Sequence, residues 1–160
     1  MVTARARPLV HGIDVGVVED AIRAAEQRTS GEIRVALARF WFWGDVRLSA
    51  ERTFVRLHVD KTRRRNGVLI FLAPWRRRLA VIGDVGAQEK LPVDFWKTVV
   101  EAITSHFRGG DRTAGLVAAV NMVADALAAV FPREATDVNE LPDTVSVTRE
   151  RRPTPPGGRR

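Results

Sequence analysis

The side chains with the best potential for chemistry lie in residues 66–86, which read NGVLIFLAPWRRRLAVIGDVG. Two apolar runs in this stretch, residues 68–72 and 79–82, have the length of β-strands. Because both runs are apolar throughout, we expect them to be central strands that are covered on both faces. Pro74 cannot donate to a sheet ladder, so residues 73–78 are the predicted exposed turn of a β-hairpin.

A hairpin of this kind brings its two open ends together. Arg65 and Asn66 come before the first strand, and Asp84 follows the second. The arginines of the turn are carried to the opposite end of the hairpin. The junction of the open ends is therefore the candidate functional site, and the residues expected to meet there are Arg65, Asn66, Gly67, Gly83, Asp84 and Gly86.

Oxygen ligands at this junction could hold a hard cation. Asp84 has glycines nearby that let the backbone approach a ligand closely. The nearest other carboxylates, by the order of the predicted elements, are Glu32 and Glu89. With the Asn66 amide and water they could bind Ca²⁺ or Mg²⁺. The metal and Arg65 could then polarise a phosphate ester, which makes Asp84 and Arg65 the candidate catalytic residues.

A purely structural role explains the same residues. Asp84 can cap a turn and pair with Arg65, and Glu89 suits the first turn of a helix, where the helix dipole favours an acidic side chain. The sequence contains no dense ligand motif such as an EF-hand loop. The ligand-binding and structural interpretations both remain open at this point.

Other common chemistries are poorly supported. His11, His58 and His106 are far apart and form no HxxxH pair, so we expect them to be surface or packing residues. The chain has neither a GxSxG nor a GxxxxGK[ST] motif, which argues against a serine hydrolase and a P-loop NTPase. It has no cysteine, which excludes disulfides, thiolate metal sites and a cysteine nucleophile.

The chain of 160 residues is long enough for one hydrophobic core and too short for two ordinary domains. No apolar run approaches the ~18 residues that cross a bilayer, and residues 1–10 contain no apolar stretch long enough for an export signal. We therefore expect no membrane span and a cytoplasmic location.

The net charge of +7 is concentrated at the ends of the chain and in two internal clusters. Residues 147–160 hold five arginines against Glu150, and residues 1–10 add Arg5 and Arg7. Because the internal clusters, residues 61–65 and 76–78, fall at opposite ends of the predicted hairpin, they cannot form one continuous basic stripe. This arrangement argues against nucleic-acid binding.

Apolar residues recur at helical spacing in four segments, and residues 32–37 alternate as a strand does. Asp14, Ser49 and Asp111 are the expected N-caps. The last helix is apolar almost all round, so it should be the most buried. The predicted helices span residues 14–29, 49–59, 92–108 and 111–131.

The order α-β-α-β-β-α-α predicts an α/β fold, a three-layer α/β/α sandwich with a short mixed central sheet. The expected division of the chain follows from composition. Residues 1–12 read as a flexible basic leader, residues 13–132 as the domain, residues 133–146 as an acidic extension, and residues 147–160 as a disordered basic tail rich in Pro and Gly.

Phe40, Trp41, Phe42 and Trp43 form a run of aromatic residues between a strand and a helix. One interpretation folds alternate rings onto the core as a lid, since exposed apolar patches on monomers are usually small. The other makes the run an exposed contact surface for a partner, a membrane interface or a second copy of the chain. We expect the lid.

Several segments together resemble the TPM domain family of thylakoid-lumen, photosystem and nematode receptor-accessory type. They are TSGEIRVAL, RNGVLIFLAPWRRRLAVIGDVGAQEK, an FW pair before a helix, and FRGGDRTAGLVAAV. The resemblance covers residues 13 to about 131, and FPREATDVNELPD is similar to short bacterial members. It implies an α/β/α sandwich. It also implies mixed activities: a plant thylakoid member is described as an acid phosphatase linked to photosystem II repair, some members bind calcium, and others look non-enzymatic.

The family's Asn-Gly at the strand entrance falls on Asn66 and Gly67, and its loop after the next strand falls on Gly83, Asp84 and Gly86. Many relatives have an acidic residue before Asn-Gly, where this chain has Arg65. Many also carry an export signal and a membrane segment, which we do not find here.

The resemblance and the residues together predict a domain that binds a divalent metal, with Asp84, Glu89, Asn66 and Glu32 as ligands, or a phosphate ester. Such a domain would have at most weak, metal-assisted acid phosphatase activity. The alternative is a non-catalytic module for protein interaction or complex assembly.

The lid interpretation predicts that replacing Trp41 and Trp43 with Ser lowers stability, since burying a large aromatic contributes about 3–5 kcal/mol. Denaturant unfolding measures this loss, and sedimentation of the same variant measures self-association. A variant with wild-type stability and reduced self-association would instead identify the run as a contact surface.

Overall fold

The computed structural model describes residues 9–38 and 44–148. This part of the chain forms six strands and five helices. The strands are β1 (Leu9–Val10), β2 (Ile13–Asp14), β3 (Glu32–Ala38), β4 (Gly67–Ala73), β5 (Arg78–Gly83) and β6 (Ser146–Thr148). The helices are α1 (Val15–Glu26), α2 (Val46–Arg56), α3 (Val85–Lys90), α4 (Val93–Arg108) and α5 (Arg112–Val130).

Four strands form a mixed sheet in the order β5-β4-β3-β6, and β1 pairs with β2 as a separate small hairpin. β3 runs parallel to β4 and to β6, whereas β4 and β5 are antiparallel. The predicted β4–β5 hairpin is confirmed. β5 was expected to be central but is an edge strand, so the side chains of its middle residues are only half-buried.

The sheet lies between two helical layers, which confirms the three-layer sandwich. Residues Ile33, Val35, Val68 and Ile70 face the larger core, which α1, α4 and α5 cover. Leu69 and the other side chains of the opposite face pack against α2. This division follows from the alternation of side chains along each strand. Both faces of β3 and β4 are buried, and the face of β3 opposite the larger core also carries Glu32 and Arg34.

α5 is the most apolar helix, as the sequence predicts. By length and composition alone it could cross a membrane. Its packing accounts for this composition, because it lies in the larger core against α1 and α4. Its fully buried side chains include Leu116, Val120, Val123 and Leu127.

Two helix starts differ from the prediction. α2 begins a turn earlier than expected because the carboxylate of Asp45, and not the hydroxyl of Ser49, caps it by accepting from the backbone N–H of Leu48 at 2.9 Å. Ser49 is buried inside the helix. Asp84 caps the short helix α3, which the sequence analysis missed. Asp14 caps α1 as predicted.

Residues 133–148 pack against the domain and are here called the C-terminal strap. Leu141 enters the smaller core beside α2. Residues 146–148 form β6, so residues 147 and 148 do not belong to a disordered tail as predicted. The expected flexible leader also differs, because Leu9–Val10 pairs with β2. The aromatic run of residues 40–43 lies outside the described residues, and the lid remains a prediction.

Truncation of the chain tests whether the packing of the strap stabilises the domain. A chain that ends at Val145 loses the pairing of β6 with β3, and we expect its free energy of unfolding to fall by about 1–2 kcal/mol, the sum of a few cross-strand contacts. A chain that ends at Thr148 keeps the pairing and is the matched control. Equal melting temperatures for the two chains would contradict a stabilising role of β6.

Candidate functional site

The open ends of the β4–β5 hairpin meet as predicted. The backbone N–H of Asp84 donates to the carbonyl of Gly67 at 2.8 Å, and that of Gly86 donates to the carbonyl of Arg65 at 2.9 Å. A Cβ at Gly86 would lie 2.6 Å from the carbonyl oxygen of Arg64. Glycine is therefore required for this close approach of the two backbone segments.

Arg65 and Asp84 form a bidentate ion pair at the junction. Nε of Arg65 lies 2.6 Å from Oδ2 of Asp84, and an Nη nitrogen of Arg65 lies 3.0 Å from Oδ1. The Asp84 side chain is only 5% exposed. Its Oδ1 also accepts from the backbone N–H of Val85 at 2.8 Å, which caps α3. The buried carboxylate thus accepts three hydrogen bonds from its own chain, as the structural interpretation of Asp84 expects.

The Arg65 guanidinium is fixed on one side and open on the other. Its side chain is 50% exposed, and the described residues engage only Nε and one Nη. A guanidinium has five N–H donors, so three remain for another acceptor. The hydrogen bonds that Arg65 donates to Asp84 raise the pKa of Arg65 above its usual value. A permanent cation is therefore held at this surface in one orientation.

The backbone of Arg65 also has an uncommon conformation. Its φ is +51°, a left-handed conformation that is uncommon for a residue other than Gly, Asn or Asp. Such strain persists only where the surrounding contacts enforce it. Here the enforcing contacts are the bidentate pair and the bond from Gly86. The conformation turns the side chain of Arg65 onto the loop that follows β5.

Asn66 serves the framework of the junction. Its side chain is fully buried, and its Nδ2 donates to the carbonyl of Ser30 at 3.3 Å. Its backbone N–H donates to the hydroxyl of Thr62 at 3.2 Å. Among the described residues, no donor reaches its Oδ1. Asn66 therefore joins the entrance of β4 to the turn between α1 and β3 and does not face solvent.

The other predicted ligands lie elsewhere. Glu32 is buried, and its carboxylate accepts from the backbone N–H groups of Glu140 at 2.7 Å and Leu141 at 3.3 Å, so it holds the strap. Glu89 is exposed and lies near the end of α3, not in the first turn of a helix.

These four ligand candidates do not make a cation site as they stand. Within residues 9–38 and 44–148, no group of three His, Asp or Glu side chains could hold a metal ion. The donor set does not fit Ca²⁺ or Mg²⁺, because a hard cation needs several oxygens directed at one point. Here Asp84 accepts three hydrogen bonds and Glu32 two from their own chain, and the two carboxylates are held by different segments.

A cavity beside the junction was missed by the sequence analysis. It has a volume of about 220 Å³ and is lined by Ser30, Arg63, Arg64, Asp137 and Glu140, among others. Arg64 donates to the hydroxyl of Ser30 at 3.2 Å and pairs with Glu134 at 2.8 Å. The run of arginines at 63–65 was the available signal. The cavity could not be predicted because the residues of the strap that form one wall were assigned only to an acidic extension, with no place in the fold.

The two functions of Asp84 can be separated by substitution. Asp84→Ala removes both the helix cap and the partner of Arg65, and we expect the free energy of unfolding to fall by about 2–4 kcal/mol. Asp84→Asn keeps a good cap but loses the charge and one of the two acceptor oxygens, so its loss should be smaller than that of Asp84→Ala. Urea unfolding measures both variants, and equal losses would show that the cap contributes nothing.

The comparisons with known proteins agree with this geometry. The BA42 protein from the psychrophilic bacterium Bizionia argentinensis, solved by NMR, is 39% identical to this chain, with a TM-score of 0.78 over 84% of this chain and 92% of BA42. The N-terminal domain of a protein from P. gingivalis is 21% identical, with a TM-score of 0.60 over 72% of this chain and 74% of that one. This second likeness shows the fold alone.

No curated protein matches the sequence. The model of the TPM domain family matches residues 12–126, which include both ends of the β4–β5 hairpin and the Arg65–Asp84 pair. The chain belongs to the TPM domain family.

Proposed function

We propose that this domain binds phosphate-bearing ligands through Arg65, without a bound metal, and that it hydrolyses them slowly or not at all. The observation that carries the proposal is the fixed, half-exposed guanidinium of Arg65, held by the buried carboxylate of Asp84. Arginine donors in a fixed fork match the oxygens of a phosphate group. Preorganisation by Asp84 lowers the entropic cost of ordering the side chain on binding.

The surroundings of Arg65 support an anionic ligand. Arg63 and Arg64 precede it in the same loop and line the neighbouring cavity of about 220 Å³. Arg63 is exposed. Arg64 is paired with Glu134 at 2.8 Å, and Asp137 and Glu140 also line the cavity. The positive charge open to a phosphate group is therefore that of Arg65 and the exposed Arg63.

A divalent metal at this place would compete with the Arg65 cation for the carboxylate of Asp84. That carboxylate already accepts two hydrogen bonds from Arg65 and one from the N–H of Val85. The family relationship suggests a phosphatase, but in the described residues no group of three His, Asp or Glu side chains could hold a metal ion. Binding without efficient turnover is the function that this arrangement favours.

A non-catalytic protein-interaction module is the second candidate. Val85 and Val93, which are close in the chain to Asp84, both present exposed apolar side chains. An interaction surface typically combines such apolar contacts with arginine. A phosphate-bearing segment of a protein partner would use both features.

Titration of the protein with inorganic phosphate and with phenyl phosphate, followed by ¹H–¹⁵N NMR in the presence of EDTA, tests the proposal. We expect saturable shifts at Arg65 and its neighbours. Arg65→Gln should weaken binding by about tenfold or more, because it removes the charge and the fork. Arg65→Lys should lose less, since it retains the charge.

Arg78→Gln is the matched control, because it removes one arginine at the other end of the hairpin and should leave binding unchanged. Circular dichroism checks that each variant is folded. Equal affinity in the Arg65→Gln and Arg78→Gln proteins would overturn the proposed site. Binding that appears only when Ca²⁺ or Mg²⁺ replaces EDTA would overturn the metal-free mode and restore the metal interpretation.

A further inference from the structure

The C-terminal strap is held by buried ionisable groups that the proposed function does not use. Glu26, the last residue of α1, is 4% exposed, and Glu32 and Arg34 on β3 are 3% and 5% exposed. Charged side chains are rarely buried to this degree without partners. All three lie where the strap crosses the end of α1 and the edge of β3, so most of their partners come from the strap.

Most of these contacts are ordinary. Glu32 accepts from two backbone N–H groups of the strap. Arg34 donates to the carbonyl of Pro142. Arg133 donates to the backbone carbonyl of Glu26. On the exposed side, Glu19 accepts from the backbone N–H of Val145 at 3.0 Å. Each bond pairs a donor with an acceptor, so none of them requires an unusual protonation state.

The contact of Glu26 with Asp143 does require an unusual protonation state. Oε1 of Glu26 accepts from the backbone N–H of Ile33 at 3.3 Å. Oε2 is buried, and no donor group of the described residues reaches it. The carboxyl of Glu26 has the carboxyl of Asp143 as its side-chain hydrogen-bond partner. Asp143 already accepts from Nδ2 of Asn139 at 2.6 Å. Two carboxylates cannot form a hydrogen bond unless one of them carries a proton.

We infer that Glu26 and Asp143 share one proton and that this proton is required for the strap to dock on α1 and β3. The Glu26 carboxyl binds the proton and donates it to the Asp143 carboxylate. When the proton is lost, the negative charge of the buried Glu26 faces that of the half-buried Asp143, and the strap is released. Docking of residues 133–148 is therefore coupled to pH.

The electrostatic surroundings agree with this assignment. Burial is the largest cause that raises the pKa of Glu26 to about 9, and the neighbouring Asp143 and Glu32 raise it as well, whereas the hydrogen bond from Ile33 lowers it. The Arg34 guanidinium also interacts with Glu26. The hydrogen bond from Glu26 is the largest cause that lowers the pKa of Asp143, and Arg23 and Arg34 lower it further. Glu26 is therefore the protonated partner and Asp143 the ionised one. Burial also raises the pKa of Glu32, against the two backbone hydrogen bonds that lower it.

The sign of the pH effect follows from these pKa values. Release of the strap exposes Glu26, whose pKa then returns towards about 4.3, the ordinary value for glutamate. Docking thus takes up a proton. Above the ordinary pKa of glutamate its equilibrium constant falls by up to about tenfold per pH unit, until pH passes the docked value of about 9. At lower pH the lowered pKa of Asp143 acts in the opposite direction, because docking then weakens as Asp143 is protonated. Release uncovers the edge of β3 that β6 covers, beginning at Ala36.

Amide hydrogen exchange of the full chain, measured by NMR between about pH 6 and 9 and corrected for intrinsic rates, tests the coupling. The amides of Glu140 and Leu141 report docking, because they donate to Glu32. In the wild type we expect their protection to fall by up to about tenfold per pH unit. Glu26→Gln is neutral and can still accept from Ile33 and donate to Asp143, so it should remove at least half of this slope.

Glu19→Gln is the matched control. It alters another acceptor of the strap, so it should lower protection while keeping the wild-type slope. Equal slopes in the wild type and in Glu26→Gln would overturn the inference. A ¹³C titration of the Glu26 carboxyl in the wild type decides the matter if the variant does not fold. A midpoint near the ordinary value for glutamate would overturn the shared proton, and a midpoint far above it would support it.

Discussion

The ion pair between Arg65 and Asp84 holds together the two open ends of the β4–β5 hairpin. It joins the segment before β4 to the segment after β5, at 2.6 and 3.0 Å. A carboxylate as buried as that of Asp84 must be matched by donors, since an unpaired buried charge is strongly destabilising. The same carboxylate starts α3 by capping it. One side chain therefore fixes the hairpin ends, the start of a helix and the direction of the Arg65 guanidinium.

The need to pair buried polar groups also determines how the strap binds to the sheet. Glu26, Glu32 and Arg34 are polar positions at the end of α1 and on an otherwise apolar β3, and the strap supplies their partners. Buried polar groups must be hydrogen-bonded, so the strap is held in place by a polar requirement as much as by the packing of Leu141. Glu32, a predicted metal ligand, has this structural role because the donors nearest to it are backbone N–H groups.

Features that depend on local sequence were predicted well. The cap of α1 at Asp14, the β4–β5 hairpin and the apolar nature of α5 each follow from a short pattern of side chains. Features that depend on distant segments were not. The edge position of β5 was missed because its apolar run resembles that of β4, and periodicity does not state how many neighbours a strand has. The docking of the strap was missed because its acidic composition resembles that of a solvated extension.

The sequence by itself determined the sandwich, the meeting of Asn66, Arg65 and Asp84 at one end of a hairpin, and the TPM family, because these follow from periodicity, turn residues and motif order. Only the tertiary structure decided what the polar residues do. Asp84 forms an ion pair with Arg65, Glu32 accepts hydrogen bonds from the strap, and Glu26 faces Asp143. The physical reason is that the role of a carboxylate depends on which donors reach it. Those donors come from segments up to 109 residues away along the chain.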